Sequence, residues 1–151
     1  MSQRLAVGVF SPSVLLRVAL RTGRLDEHGL RIDEIPVLSS PAQFRSLLDG
    51  DLDAVLTSPD NVVAYRFVPD NPLGVPADVS IVSAIARGLG LALYGRRGIT
   101  AAAPLRGAAG GVDVPKSGFS LALDPLAQSS GHDRYGLHVR SPGSRPNVRA
   151  P

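Results

Sequence analysis

The sequence contains no cysteine and no tryptophan, and only one of its sixteen basic residues is a lysine, Lys116. Without cysteine there are no disulfides, no thiolate metal sites and no cysteine nucleophiles, and the redox compartment is left open. Aromatic residues make up 5% of the chain, too few for the stacking platforms that single-stranded nucleic acids use. No apolar run approaches the ~20 residues that a membrane span requires, so a soluble protein with no membrane span is expected. The sequence starts Met-Ser-Gln-Arg and runs straight into Leu5–Phe10, too short for a signal-peptide core and lacking a small-residue cleavage site after it. A cytoplasmic location follows if the sequence as given is complete.

The 151 residues are 44% hydrophobic and 19% charged, with a net charge of +3. These values fit one domain with a sizeable core. Arginine, alanine, glycine and proline are all abundant, a bias expected of a GC-rich genome. Residues 1–75 hold seven arginines against nine acids, net −2, whereas residues 76–151 hold nine bases against four acids, net +5. The basic residues are scattered rather than striped, so no nucleic-acid partner is expected.

The segment Leu5–Phe10 is a short apolar run typical of a buried parallel strand. Val14, Leu15, Val18 and Ala19 then share one face of a helix over Val14–Thr22, with Gly23 placed to close it. Leu30–Leu38 is the next strand, followed by a helix opening at Ser40-Pro41-Ala42-Gln43, which reads as a capping box, and closed by Gly50. Leu52–Thr57 is a third strand, and Ser58-Pro59 introduces a helix over Asp60–Phe67. Strands alternating with helices predict βαβ units and a parallel sheet. Beyond the loop Pro69–Pro76, strands are expected at Val79–Ala86 and Leu89–Tyr94 and a turn at Gly95–Gly98. A strand beginning at Gly111–Val114 and a helix over Gly118–Ala127 follow. The end of the chain lacks apolar periodicity and reads as disordered.

One chemical feature recurs. Ser11-Pro12, Ser40-Pro41 and Ser58-Pro59 each stand where an expected strand hands over to a helix, and in a parallel sheet such turns gather at the carboxyl ends of the strands, where open α/β folds bind ligands. Free helix N–H groups, the helix dipole and serine hydroxyls together suit anions or polar head groups, and Gln43 and Asn61 stand one turn further in. The plainer reading is that each serine caps its own helix.

Other motifs fail on chemistry. Lys116-Ser117 follows a strand at a helix start, as in a phosphate-binding loop, but the residue before the lysine is Pro115, which has no N–H to donate. Asp49-Gly-Asp51-Leu-Asp53 imitates the start of a calcium loop, yet Ala54 stands where glycine is needed and Asp60 where a bidentate glutamate belongs. His28, His132 and His138 share no metal spacing. No G-x-S-x-G elbow is present and no pair of carboxylates is marked as acid and base, so neither cofactor, metal nor catalysis is expected.

The opening strand Arg4–Phe10, the turn Gly23–Leu30, the stretch Ser40–Asp53 with its Leu-Asp-Gly-Asp-Leu-Asp core, Thr57–Asn61 and Gly111–Phe119 together resemble the ABC-transporter substrate-binding proteins that include sulfonate, nitrate and thiamine-precursor binders. The resemblance spans residues 4–128. It implies a periplasmic-binding-protein-like (type 2) α/β fold: a parallel-sheet lobe with crossover strands over 1–99, the start of a second α/β lobe over 100–128, and a disordered or non-native tail over 129–151. It further implies a small polar or anionic organic ligand held in an interlobe cleft, an ABC permease as partner and a periplasmic location. Ser11, Ser39, Thr57, Ser58 and Asn61 would line the first wall, with Ser117 and Gly118 approaching from the second lobe. Full members of the family carry further strands that complete the second lobe, so the resemblance also implies a truncated or frame-shifted reading. The competing expectations are a cytosolic small-molecule enzyme, the effector domain of a regulator on the same fold, or a fragment that does not fold independently.

Overall fold

The computed structural model describes residues 2–85, 94–99, 108–112, 114–129 and 137–140. Strand β1, Gln3–Val9, is exposed where it starts and buried at Val7, Gly8 and Val9. Consecutive buried residues mark a strand covered on both faces, and β1 is the middle strand of three. β2, Leu30–Pro36, and β3, Ala54–Val55, pair with it in parallel, giving the order β2-β1-β3. Val7 lies opposite Glu34 on one side and Ala54 on the other.

The third strand is shorter than the expected Leu52–Thr57, and the reason is a side chain. Asp53 Oδ2 accepts from Ala6 N at 2.7 Å while Asp53 N donates to Ala6 O at 2.9 Å. A carboxylate thereby takes a ladder acceptor's place, a competition to which Asp is prone. Beyond the ladder, Leu56 N still donates to Gly8 O at 2.9 Å.

Helix α1, Val14–Arg21, starts after Ser13, whose hydroxyl accepts from Leu16 N at 3.3 Å. The expected turn serine, Ser11, is exposed and caps nothing. Gly23, at φ 73°, stops α1 as expected, and the single helical turn α2, Arg24–Glu27, follows at once. Helix α3, Ser40–Leu48, is capped by Ser39, whose hydroxyl accepts from Ala42 N at 3.3 Å. The capping box expected at Ser40–Gln43 therefore does not form: the helix starts one residue earlier, which turns Gln43 into the core. Helix α4, Pro59–Phe67, has Ser58 at its cap and proline at its first position, where a missing N–H costs nothing.

The core lies between α3, α4 and the chain that follows. Phe44 stacks on Tyr65 with ring centroids 4.2 Å apart, and Ala77 and Val79 complete the buried cluster with Leu47, Val62 and Leu73 against it. Buried Asn71 holds the loop after α4, its Nδ2 lying 2.8–3.2 Å from the carbonyls of Tyr65, Val68 and Val75 while its Oδ1 accepts from Leu73 N. Residues 79–85, expected to be a strand, pair with no strand among the described residues. Arg66 donates to the Val79 carbonyl. Residues 86 and 89–93 of the two expected strands lie outside the described residues. The turn at Gly95–Gly98 forms, with Ile99 N donating to Arg96 O and Gly98 at φ 92°.

A second, two-stranded parallel sheet joins β4, Ala108–Gly111, to β5, Leu137–Arg140, with helix α5, Gly118–Ser129, between them in sequence. β4 overlaps the expected strand start Gly111–Val114 only at Gly111, and Val114 is committed to a turn: its carbonyl accepts from both Ser117 N and Ser117 Oγ. β5 falls within the segment expected to be a disordered tail, where Leu137 and Val139 alternate with His138 and Arg140; the remainder of that segment beyond Ser129 lies outside the described residues. The protein is thus mixed α/β with a small parallel sheet. Among the described residues no helix is long and apolar enough to cross a membrane.

Candidate functional site

Because β1, β2 and β3 are parallel, their carboxyl ends share one edge. From β1 the chain moves to β2 on one side and then returns past β1 to β3 on the other. In sheets of this strand order the carboxyl ends of β1 and β3 are the topological position at which open α/β folds take ligands.

Gln43 reaches this edge from α3. It is wholly buried, and its Nε2 donates to Gly8 O at 3.1 Å and Leu56 O at 3.2 Å, bridging the ends of β1 and β3. Its Oε1 has no hydrogen-bond partner. After β3 the chain runs through Thr57 and Ser58 into α4. Asn61, 4% exposed, donates from Nδ2 to Thr57 Oγ1 at 3.1 Å, and its Oδ1 accepts from Gly118 N at 3.1 Å. One asparagine thus links the loop after β3 to the first residue of α5 and satisfies a helix-end N–H across 57 positions of sequence.

The start of α5 is packed against the start of α4. A Cβ on Gly118 would stand 2.1 Å from Asp60 Oδ2 and 2.5 Å from Asn61 N, so only glycine fits. Lys116, held at φ 64°, pairs through Nζ with Asp70 Oδ2 beyond the other end of α4. Both side chains of this pair are exposed.

Thr57, Ser58, Asn61, Ser117 and Gly118 are brought together. Ser58 is the α4 cap but makes no side-chain capping bond, and its buried Oγ has no partner. Ser117 is 1% exposed and donates from Oγ to Val114 O at 2.8 Å. Ser11 lies just past β1 on the surface, and Ser39 caps α3; neither bonds to the cluster around Asn61. Sequence reasoning missed Asp60 as a site residue. Both its carboxylate oxygens are buried without a hydrogen-bond partner. In sequence an acid in the first turn of a helix reads as routine compensation of the dipole, and nothing local to residue 60 signals that residue 118 will close over it.

No protein family, curated protein or solved structure matches this chain. The site is therefore read from its own chemistry. Thr57's hydroxyl receives an amide and Ser58's has no partner, so neither adjoins a base that would activate it as a nucleophile. Among the described residues no group of three or more His, Asp or Glu side chains could hold a metal ion. Asp53, part of the calcium-like stretch, is engaged by β1, and Gly50 turns the chain at φ 82°. The arrangement offers caps, amides and empty acceptors, which are the means of holding a molecule.

Proposed function

We propose that this protein binds a small polar organic molecule at the carboxyl edge of its parallel sheet and performs no chemistry on it, as the solute-binding component of an ABC transporter with a type 2 periplasmic-binding fold. The observation that carries the reading is the convergence of α4 and α5, start to start, after the carboxyl end of β3, with Ser58 Oγ at the α4 cap buried and unpartnered and, on α3, Gln43 Oε1 likewise. Native proteins leave few such atoms unmet, and those that remain call for an explanation; a bound ligand supplies one. The family resemblance adds the transporter, a permease partner and export to the periplasm.

Nuclear magnetic resonance titration with methanesulfonate, nitrate, an aminopyrimidine, benzoate and benzamidine tests it. At least one should move the backbone amides of Leu56–Asn61 and Gly118 in a saturable way. With hydrogen bonds worth about 0.5–1.5 kcal/mol each and an association cost of at least about 4 kcal/mol, the affinity should be near millimolar, about 4 kcal/mol of binding. Silence from every compound overturns the proposal, and conversion of a bound compound to product moves the protein to the enzymes.

A further inference from the structure

Helix starts ordinarily attract anions, and the sequence alone directs attention to anionic ligands. The structure fills that seat from within. Asp60 stands in the first turn of α4, and its Oδ2 occupies the place where Gly118, first residue of α5, would carry a side chain. The positive ends of both helix dipoles therefore already face a carboxylate. Those dipoles tolerate its charge without filling its lone pairs: Gly118 N–H is given to Asn61, and neither carboxylate oxygen has a hydrogen-bond partner. Gln43, wholly buried, adds an unmet Oε1 from the amide that spans β1 and β3, and Ser58 adds an unmet Oγ.

From these unmet acceptors we infer that the carboxyl edge of the sheet, at the start of α4, takes a cation bearing N–H groups, an amidinium or primary ammonium, with Asp60 as its counter-charge. The inference rests on the proposed binding role and gives that role a charge. A carboxylate prefers a donor cation because charge-assisted hydrogen bonds are the strong ones. A quaternary ammonium carries the same charge with no N–H and leaves the acceptors empty. Anions meet repulsion from Asp60 where the helices would otherwise attract them. Without ligand, a buried carboxylate that makes no hydrogen bond destabilises the fold, a pattern expected where stability yields to binding.

The test compares benzamidine, putrescine, tetramethylammonium and methanesulfonate on the full chain and on Asp60→Asn, which keeps the side chain's size and removes its charge. Benzamidine and putrescine should move the amides of Leu56–Asn61 and Gly118 and bind at least tenfold more tightly than tetramethylammonium and methanesulfonate. Asp60→Asn should lose that tenfold preference, melt at a higher temperature than the unchanged chain, and no longer gain thermal stability from benzamidine. Binding of methanesulfonate at the amides of Leu56–Asn61 and Gly118 with benzamidine silent overturns the charge assignment and leaves the binding role standing. Binding of none of the four overturns this inference, whereas the binding role falls only if its wider set is silent too. Equal benzamidine affinity in Asp60→Asn overturns the role of Asp60. So does an Asp60→Asn chain that fails to fold, since the carboxylate would then be a structural necessity.

Discussion

Helices α1 and α3 are eight and nine residues long and each follows a strand of the same sheet, yet their fates differ. α1 has the better apolar stripe and buries none of it: Val14 is 74% exposed, and Leu15 and Val18 are each 52% exposed. α3 opens Ser-Pro-Ala-Gln and buries Ser40, Gln43 and Phe44. The difference lies in what each helix meets. α3 has Tyr65 of α4, which stacks on Phe44 and shares a 3.0 Å hydrogen bond with Ser40 Oγ, and it has the ends of β1 and β3 to receive Gln43. α1 is tied to the sheet at its start, where Ser13 N donates to Glu34 Oε1 at 2.7 Å. Apolar periodicity declares which face of a helix would rather be covered; only a neighbour covers it.

The largest expected effect sharpens this contrast. Phe44→Ala removes a buried ring and should cost about 3–5 kcal/mol in urea unfolding, whereas Val18→Ala on α1 should stay within about 0.5 kcal/mol. Comparable costs would mean that the α1 face is covered in solution.

A second, intermediate effect concerns close packing. Gly118→Ala drives a methyl into the backbone of Asp60 and Asn61, and should cost about 1–3 kcal/mol, the usual range for overpacking. Amide exchange along α5 should accelerate in that variant. Gly8→Ala instead meets chiefly the tip of Leu52, with Cδ1 at 2.7 Å. A flexible side chain can move aside where backbone cannot, so this substitution should cost less than Gly118→Ala; the reverse order would show that α5 is not held against α4 as described.

The smallest effect is electrostatic and belongs to the sheet. Asp33 of β2 pairs with Arg4 of β1, and the hydrogen bond from Arg4 is the largest cause holding the Asp33 carboxyl below its ordinary value of 3.8. A lowered folded-state value adds stability above the ordinary value, and that contribution is lost as pH falls through the lower, folded one. Both side chains are well exposed, and surface pairs contribute little. In Arg4→Gln, carboxyl titration followed by nuclear magnetic resonance should find Asp33 closer to 3.8, with a slightly shallower loss of stability in acid.

Much of the framework was legible because its signals are local. Gly23 and Gly50 mark helix ends, the proline pairs mark helix starts, and the apolar runs from Leu5 and Leu30 mark β1 and β2. Local reading also named Asn61 and Gly118 as candidate site residues, and the structure joins them by a hydrogen bond. It misjudged which serine caps α3, because Ser39 and Ser40 differ by one residue and either suits a cap. It missed β5, whose four residues stand beside Gly-, Pro- and Arg-rich sequence without a longer apolar run. It placed Ser11 in a cluster that the structure builds around Asn61 instead, since a serine-proline pair identifies a turn and not the direction in which its hydroxyl points.

The sequence by itself determined the strand-helix alternation, the parallel sense of the first sheet and the presence of polar residues at the carboxyl ends of its strands. These follow from periodicity and turn chemistry within a few residues of each position. Tertiary structure decided the order β2-β1-β3, the burial of Gln43 against the ends of β1 and β3, the exposure of α1 and the meeting of Asp60 with Gly118. Each of these depends on segments distant in sequence. Asp60 shows the reason most directly: an acid in a first helical turn is ordinarily solvated, and its environment becomes unusual only when a helix starting 58 residues later packs its first glycine against it.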